Sequence, residues 1–297
     1  MNVSSYQRII EACFPELQVH SAVPVSQGWD SVTLEINDEY IFRFPKRPDV
    51  EPQYAMEALL LAELVTRLPI AVPSFQFVWT GGAEYSMRFV GYRKLAGVPL
   101  ACDRHTPVQL AQLAKQLAAF LSELHRFPVD LATQQLVPGG EPAQWRQYYQ
   151  QFYERVREQV FPLLDAPMRA KTALLWEEFV NSEAHFRFTP TLIHHDLNSE
   201  HILCDPVGAT ISGIIDWGDA AIGDPAIDFV GLLHDCGADF TEQVLDGYRG
   251  TVDATFGQRM RFYDHAIPFH EILFGITIED EEQIRQGVEA LRVALSG

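Results

Sequence analysis

The chain has 297 residues, 47% hydrophobic and 11% aromatic, which at roughly 150 residues per domain suits one large or two ordinary domains with a sizeable core and excludes a miniature disulfide scaffold. Forty Asp and Glu against 22 Lys and Arg give a formal charge of -18, which repels phosphate backbones and anionic lipid and attracts polycations, so nucleic acid and membranes are poor partners. No apolar run approaches the ~18 residues of a membrane span, the start MNVSSYQRIIEACFPEL lacks a leader pattern, and the scattered Cys13, Cys102, Cys204 and Cys236 form no CxxC pair, so the reading is a cytoplasmic protein with reduced thiols.

After a short helical start, VTLEI alternates Val32, Leu34 and Ile36 inward, and YIFRF repeats the alternation after Asn37-Asp38, which predicts a hairpin. Tyr54 to Leu68 places Met56, Leu59, Leu60, Glu63 and Leu64 at helical spacing before LPIAVP breaks it with two prolines. FQFVW and EYSMRFV, joined by Gly81-Gly82, read as a second hairpin, so residues 1–95 are expected to form a small antiparallel sheet with one helix. From Thr106 the period changes: Thr106 caps, Pro107 suits the first turn, and Leu110, Leu113, Leu117, Phe120, Leu121 and Leu124 line one helix face. Trp145 to Val160 and Leu174 to Phe179 mark further helices, and the stripe from Trp145 to Phe152 reads as core rather than as a sugar or base site. Within this mainly helical half, TLIHHD, HILCD and ATISGIID, inside residues 191–216, read as short strands separated by polar turns.

That exception carries the chemistry. Phosphoryl transfer needs a carboxylate to orient and deprotonate the attacking hydroxyl, and metal ligands to neutralise charge on the phosphates. Asp196 suits the base; His201 follows it by five positions and Asp216 ends the next strand, a set suited to holding magnesium. In GDPAID, Asp224 is placed to cap a helix begun by Pro225. A zinc hydrolase on His194, His195 and His201 is disfavoured, because adjacent residues of a strand face opposite ways.

HHDLNSEHILCD followed by GIIDWGDAAIGDPAIDF resembles the catalytic and metal loops of the aminoglycoside phosphotransferase family, relatives of protein kinases. The resemblance implies a two-lobed, kinase-like α/β fold: a nucleotide-binding sheet lobe over residues 1–95, a hinge near 92–96, and a larger, mainly helical lobe over 96–297 with the catalytic loop and substrate site. It implies Asp196 as base, His201 in the place of an Asn of many relatives, and Asp216 as the metal-binding aspartate. YIFRFPKR is similar to the family's third strand; its phosphate-binding Lys is replaced by Arg43, with Glu57 as the ion-pair partner and Lys46 as the fallback. SQGWDSVTLEIN takes the place of the nucleotide loop, with Ser26, Gly28 and Ser31 as donors to phosphate. FVGYRKLAGVPL takes the place of the hinge, where the backbone around Tyr92, Arg93 and Leu95 receives the purine of ATP or GTP.

The hinge, QVFPLLD and YRG resemble the 2″-aminoglycoside enzymes in particular. The implied activity is transfer of a γ-phosphate to an aminoglycoside hydroxyl, of the antibiotic-resistance type, by a magnesium-dependent, monomeric enzyme. Glu200, Asp235 and Glu271 are the substrate-site carboxylates, while His270 stands where an acidic residue of the 2″ enzymes aligns. IFRFPKR, LPIAVP and IDWGDAAIGDPAID also resemble the macrolide kinases, and another small-molecule hydroxyl kinase is a further alternative. A catalytically inactive nucleotide-binding module would be expected to have lost Asp196 or Asp216; both are present.

Overall fold

Asn37 and Asp38 both take left-handed backbone conformations, φ 58° and 56°, as a tight hairpin turn with right-handed strand twist requires. They join β2 (Ser31–Ile36) to β3 (Tyr40–Pro45) with Ile36 opposite Tyr40. The computed structural model describes residues 2–26, 31–130, 133, 136–205 and 208–296. The chain forms two units, Met1–Glu123 with Ser199–Ala220, and Leu124–Asn198 with Ala221–Gly297.

In the first unit, β1 (Ala22–Ser26), β4 (Phe75–Thr80) and β5 (Arg88–Arg93) extend the hairpin into a five-stranded antiparallel sheet, ordered β1-β2-β3-β5-β4. Strand alternation places Phe42 and Phe44 on one face, where they pack with Leu34, Ile36, Phe89 and the Tyr6 and Ile10 side chains of α1 (Val3–Cys13). Arg43 points to the opposite face, where α2 (Glu51–Leu64) presents Glu57. Helix α2 buries Tyr54, Glu57, Leu60, Leu61 and Leu64 and leaves Leu59 60% exposed, so its inward face is turned from the expected one to admit the charged pair.

The second hairpin differs from expectation. Strand β5 begins at Arg88, and residues 81–87 form a loop that Trp79 anchors by donating from Nε1 to the Tyr85 carbonyl at 2.8 Å. Tyr85 is drawn inward against Phe44 and Phe89, so the apolar residues of EYSM pack from a loop. Helix α3 (Pro107–Leu124) starts as expected, with the Gln109 N–H donating to the Thr106 hydroxyl at 3.4 Å. Beside it β6 (Val98–Pro99), β8 (Ile202–Cys204) and β9 (Ile211–Ile214) make a three-stranded sheet.

In the second unit, β7 (Thr191–Ile193) pairs with β10 (Ala221–Gly223), a strand the sequence pattern did not suggest. Helices α4 (Pro142–Arg155), α5 (Ala166–Asn181), α6 (Val230–Cys236), α7 (Ala238–Gly247), α8 (Phe256–Thr277) and α9 (Glu281–Ala294) complete it. Its core is aromatic: Tyr149 and Phe152 of α4 meet Trp176, Phe179 and Phe262, the last two stacked with ring centroids 3.6 Å apart, and Trp145 packs against Tyr149 and Phe188. The α4 stripe is therefore core, except that Tyr148 stays 46% exposed.

Asp224 caps the turn Pro225–Phe229 by accepting from the Ala226 N–H at 3.1 Å, and its carboxylate also receives the buried Arg259 guanidinium at 2.6 and 3.0 Å. Cys13 and Cys204 are free, in line with the expectation of reduced thiols for these two. Among the described residues no helix is long and apolar enough to cross a membrane.

Candidate active site

In the first unit, the pairing of Ile202 with Ile214 brings the residues flanking β8 and β9 to one end of that sheet. His201 and Asp216 meet there, Nε2 to Oδ2 3.7 Å, and the Ile215 N–H donates to the His201 carbonyl at 3.0 Å. Asp216 holds φ at 63°, a conformation costly for a residue with a Cβ, and its side chain remains 48% exposed. Arg43 joins this end to the larger sheet. Its Nη1 donates to both Glu57 oxygens at 2.7 and 3.0 Å, and its Nη2 donates to Asp216 Oδ1 at 3.1 Å. Burial opposes the guanidinium charge, but the Glu57 and Asp216 carboxylates outweigh it and hold Arg43 protonated. Glu57 is wholly buried and also accepts from the Trp217 backbone N–H. Lys46 is exposed and lines a recess with Asn2, Tyr6 and Tyr85, on the sheet face that α1 covers.

No group of three or more His, Cys, Asp or Glu suited to a metal occurs among the described residues. Magnesium does not require one, because it is commonly held by one or two protein ligands together with waters and substrate phosphates. The His201 and Asp216 donor atoms, close enough to share one ion and partly open to solvent, fit that mode.

The other nucleotide-site expectations are placed as follows. Ser26 ends β1, and Gly28 lies outside the described residues. Ser31 is buried, its hydroxyl 2.6 Å from that of Tyr54. Tyr92 is buried with its ring 5.8 Å from Phe75, Arg93 is exposed and paired with Glu39 at 3.0 Å, and Leu95 packs over Gly213. Glu200 is exposed in the first unit.

In the second unit, Asp196 follows β7. Its N–H donates to His194 Nδ1 at 3.3 Å, and its Oδ1 accepts from Asn198 Nδ2 at 3.0 Å. The preceding backbone is fixed by Asp228, which is fully buried: Oδ1 accepts from the His195 N–H at 2.7 Å, and Oδ2 from the His194 N–H at 2.9 Å. His125 Nε2 lies 3.0 Å from Oδ2, and its Nδ1 lies 2.7 Å from the Tyr248 hydroxyl. Burial penalises the Asp228 charge, yet the His125 and His194 interactions prevail and hold it below the ordinary carboxylate range. The support matters because His195 is held at φ 73°, which turns the chain sharply just before Asp196. Helix α6 approaches this loop through Gly231, where a Cβ would run into the Leu197 carbonyl oxygen.

Asp235 is exposed and Glu271 half-buried, and the fold gathers both around His234. His234 Nδ1 is 2.9 Å from Asp264 Oδ1; that hydrogen bond, reinforced by Asp235 and Glu271, raises its pKa above the usual histidine value.

The sequence model of the phosphotransferase enzyme family matches residues 21–263. The chain belongs to this family. It is an O-phosphotransferase, and its antiparallel sheet with a helical portion is the kinase-like fold of its relatives. The GDP and kanamycin complex of an aminoglycoside 2″-phosphotransferase of type IIIa is 33% identical over 97% of both chains, with a TM-score of 0.89. The GDP complex of the wild-type type IIIa enzyme is 32% identical over 100% of this chain and 99% of its own, with a TM-score of 0.91. Viomycin phosphotransferase of Streptomyces vinaceus is 26% identical and covers 84% of this phosphotransferase and 82% of its own length. Sequence reasoning missed Asp228, His125 and Tyr248 in the phosphotransferase; the one local signal was the second acid of GDPAID, which alone does not reveal what it binds.

Proposed function

We propose that the enzyme transfers the γ-phosphate of ATP or GTP to a hydroxyl of an aminoglycoside, the 2″-hydroxyl of a 4,6-disubstituted one, as a resistance-type enzyme that acts as a cytoplasmic monomer. The observation that carries this reading is the likeness over 97% of both chains to an enzyme solved with GDP and kanamycin. The acidic cluster of Asp235, Asp264 and Glu271 around His234 supports it, because several ammonium groups on one acceptor favour a wall of carboxylates.

In this reading residues 1–95 form the nucleotide lobe and the backbone near Tyr92, Arg93 and Leu95 receives the purine. Ser26, Gly28 and Ser31 belong to the phosphate loop. Arg43, oriented by Glu57, binds the phosphates as a planar fork where a Lys offers a point charge. His201 and Asp216 would hold Mg2+, which would supply positive charge against the charge developing on the phosphates. Asp196, aimed by Asn198 and the backbone that Asp228 fixes, accepts the acceptor hydroxyl's proton as the oxygen attacks phosphorus. Glu200, Asp235 and Glu271 draw in the cationic substrate.

The test is a coupled nucleotide-turnover screen of ATP and GTP against aminoglycosides, macrolides and simple amino alcohols. Turnover with a 4,6-disubstituted aminoglycoside is expected. Turnover with a macrolide alone would overturn the reading.

A further inference from the structure

In the second unit, aromatic rings, imidazoles and a guanidinium line one face of α4 next to His195. His195, immediately before Asp196, is exposed, and its ring lies 5.7 Å from that of Trp145 on α4. Two turns along the same helix face, Phe152 carries the His270 ring at 4.3 Å and the Arg155 guanidinium at 5.2 Å. Tyr148, between them on α4, is 46% exposed with its ring 6.2 Å from Phe152. His270 is open to solvent yet recessed: burial first, then the nearby His195 ring and Arg155 guanidinium, push it down to about 4, so it is neutral near pH 7. The next residue of α8, Glu271, faces His234 with Asp264 and Asp235. Adjacent helix positions thus divide two surfaces about 100° apart, one aromatic with imidazoles and a guanidinium, the other carboxylate.

We propose that His270 is a specificity-determining residue of the acceptor site: with His195 and Arg155 it lines a wall along α4 that receives the acceptor ring remote from the reacting 2″-hydroxyl and rejects ammonium groups on that ring, leaving the cluster of Asp235, Asp264 and Glu271 to hold the acceptor's other ammonium groups. An ammonium set against a guanidinium and a recessed imidazole is desolvated without a counter-charge, whereas a hydroxyl both donates and accepts; the discrimination lies in the repulsive element. The inference rests on the aminoglycoside reading and names which member of that class fits.

Kanamycins A, B and C test it. Kanamycin B carries ammonium groups at both the 2′ and 6′ positions; A has a hydroxyl at 2′, and C has one at 6′. The measurement is kcat/KM for each with the full-length enzyme, His270→Glu and His270→Gln, and thermal melts check folding. Kanamycin B is expected to be disfavoured against A or C by the wild type. His270→Glu is expected to shift that ratio toward B by about tenfold, as one new charge pair across a partly wet site allows, while His270→Gln keeps the wild-type order. Turnover of all three with both ratios moved less than twofold by His270→Glu overturns the proposal alone. Turnover of none by any of the proteins overturns the aminoglycoside reading with it.

Discussion

The Arg43 guanidinium donates from Nη1 to both carboxylate oxygens of Glu57, which is wholly buried, while its Nη2 reaches Asp216, just past the end of β9 and 173 residues away. Removing one partner of such a pair leaves an uncompensated buried charge, at about 3–5 kcal/mol. Arg43→Ala is therefore expected to lower the denaturation midpoint strongly and to raise KM for the nucleotide. Arg43→Lys, which keeps the charge but not the fork, is expected to lose less in both. Urea titration and nucleotide kinetics on the two variants check this; equal midpoints for wild type and Arg43→Ala would mean that the pair contributes nothing to the fold.

Asp196→Ala is expected to lower kcat by about 10²–10⁴-fold, the range for a positioned general base, with nucleotide affinity little changed. The base acts on the transition state, whereas the phosphates bind to other residues. Calorimetric nucleotide binding beside single-turnover rates separates the two effects.

His201→Asn is expected to retain activity, since an amide oxygen also serves a hard cation, and Asp216→Asn to weaken magnesium-dependent nucleotide binding. Titrating magnesium into each variant with nucleotide present reads this directly. Chelation of divalent cations is expected to abolish turnover in all of them.

Asp228→Asn sets an amide donor against one of two backbone donors, because Asp228 accepts the His194 and His195 N–H groups on different oxygens. A buried donor left unsatisfied costs about 1–3 kcal/mol. The expected result is a lower melting temperature and a lower kcat with an unchanged KM for the nucleotide. An unchanged kcat would show that the bend at His195 holds without it.

Asp253 gives a pH signature. Burial works against its charge, but hydrogen bonds from Arg259 and Thr255 prevail and bring it from the usual 3.8 down to about 2. With the folded value below the unfolded one, its contribution is present above about pH 4 and is lost as pH falls toward 2. Asp253→Asn is expected to flatten that part of a plot of melting temperature against pH.

Local chemistry made some of this legible. Asn37-Asp38 announces its turn because those residue types tolerate a left-handed backbone, and Thr106-Pro107 announces α3 by cap and first-turn preferences. Arg43 and Glu57 were paired through the family resemblance, and the strand parity of Arg43 then accounts for why it, and not Lys46, faces α2. Asp228 stayed hidden because its importance comes from burial beside two N–H groups 33 and 34 residues away, a relation no local spacing records. The Tyr85 loop misled because an apolar residue pinned by a Trp79 hydrogen bond looks, in sequence, like one pinned by a strand ladder.

Kanamycin incubated with the enzyme, magnesium and ATP or GTP, then analysed by phosphorus and proton NMR, tests the central claim most directly. The account predicts a single phosphomonoester whose phosphorus couples to the 2″ proton, formed by the wild type and not by Asp196→Ala. A phosphate on another hydroxyl would contradict the assigned position, and nucleotide bound but kanamycin unmodified would contradict the assigned substrate.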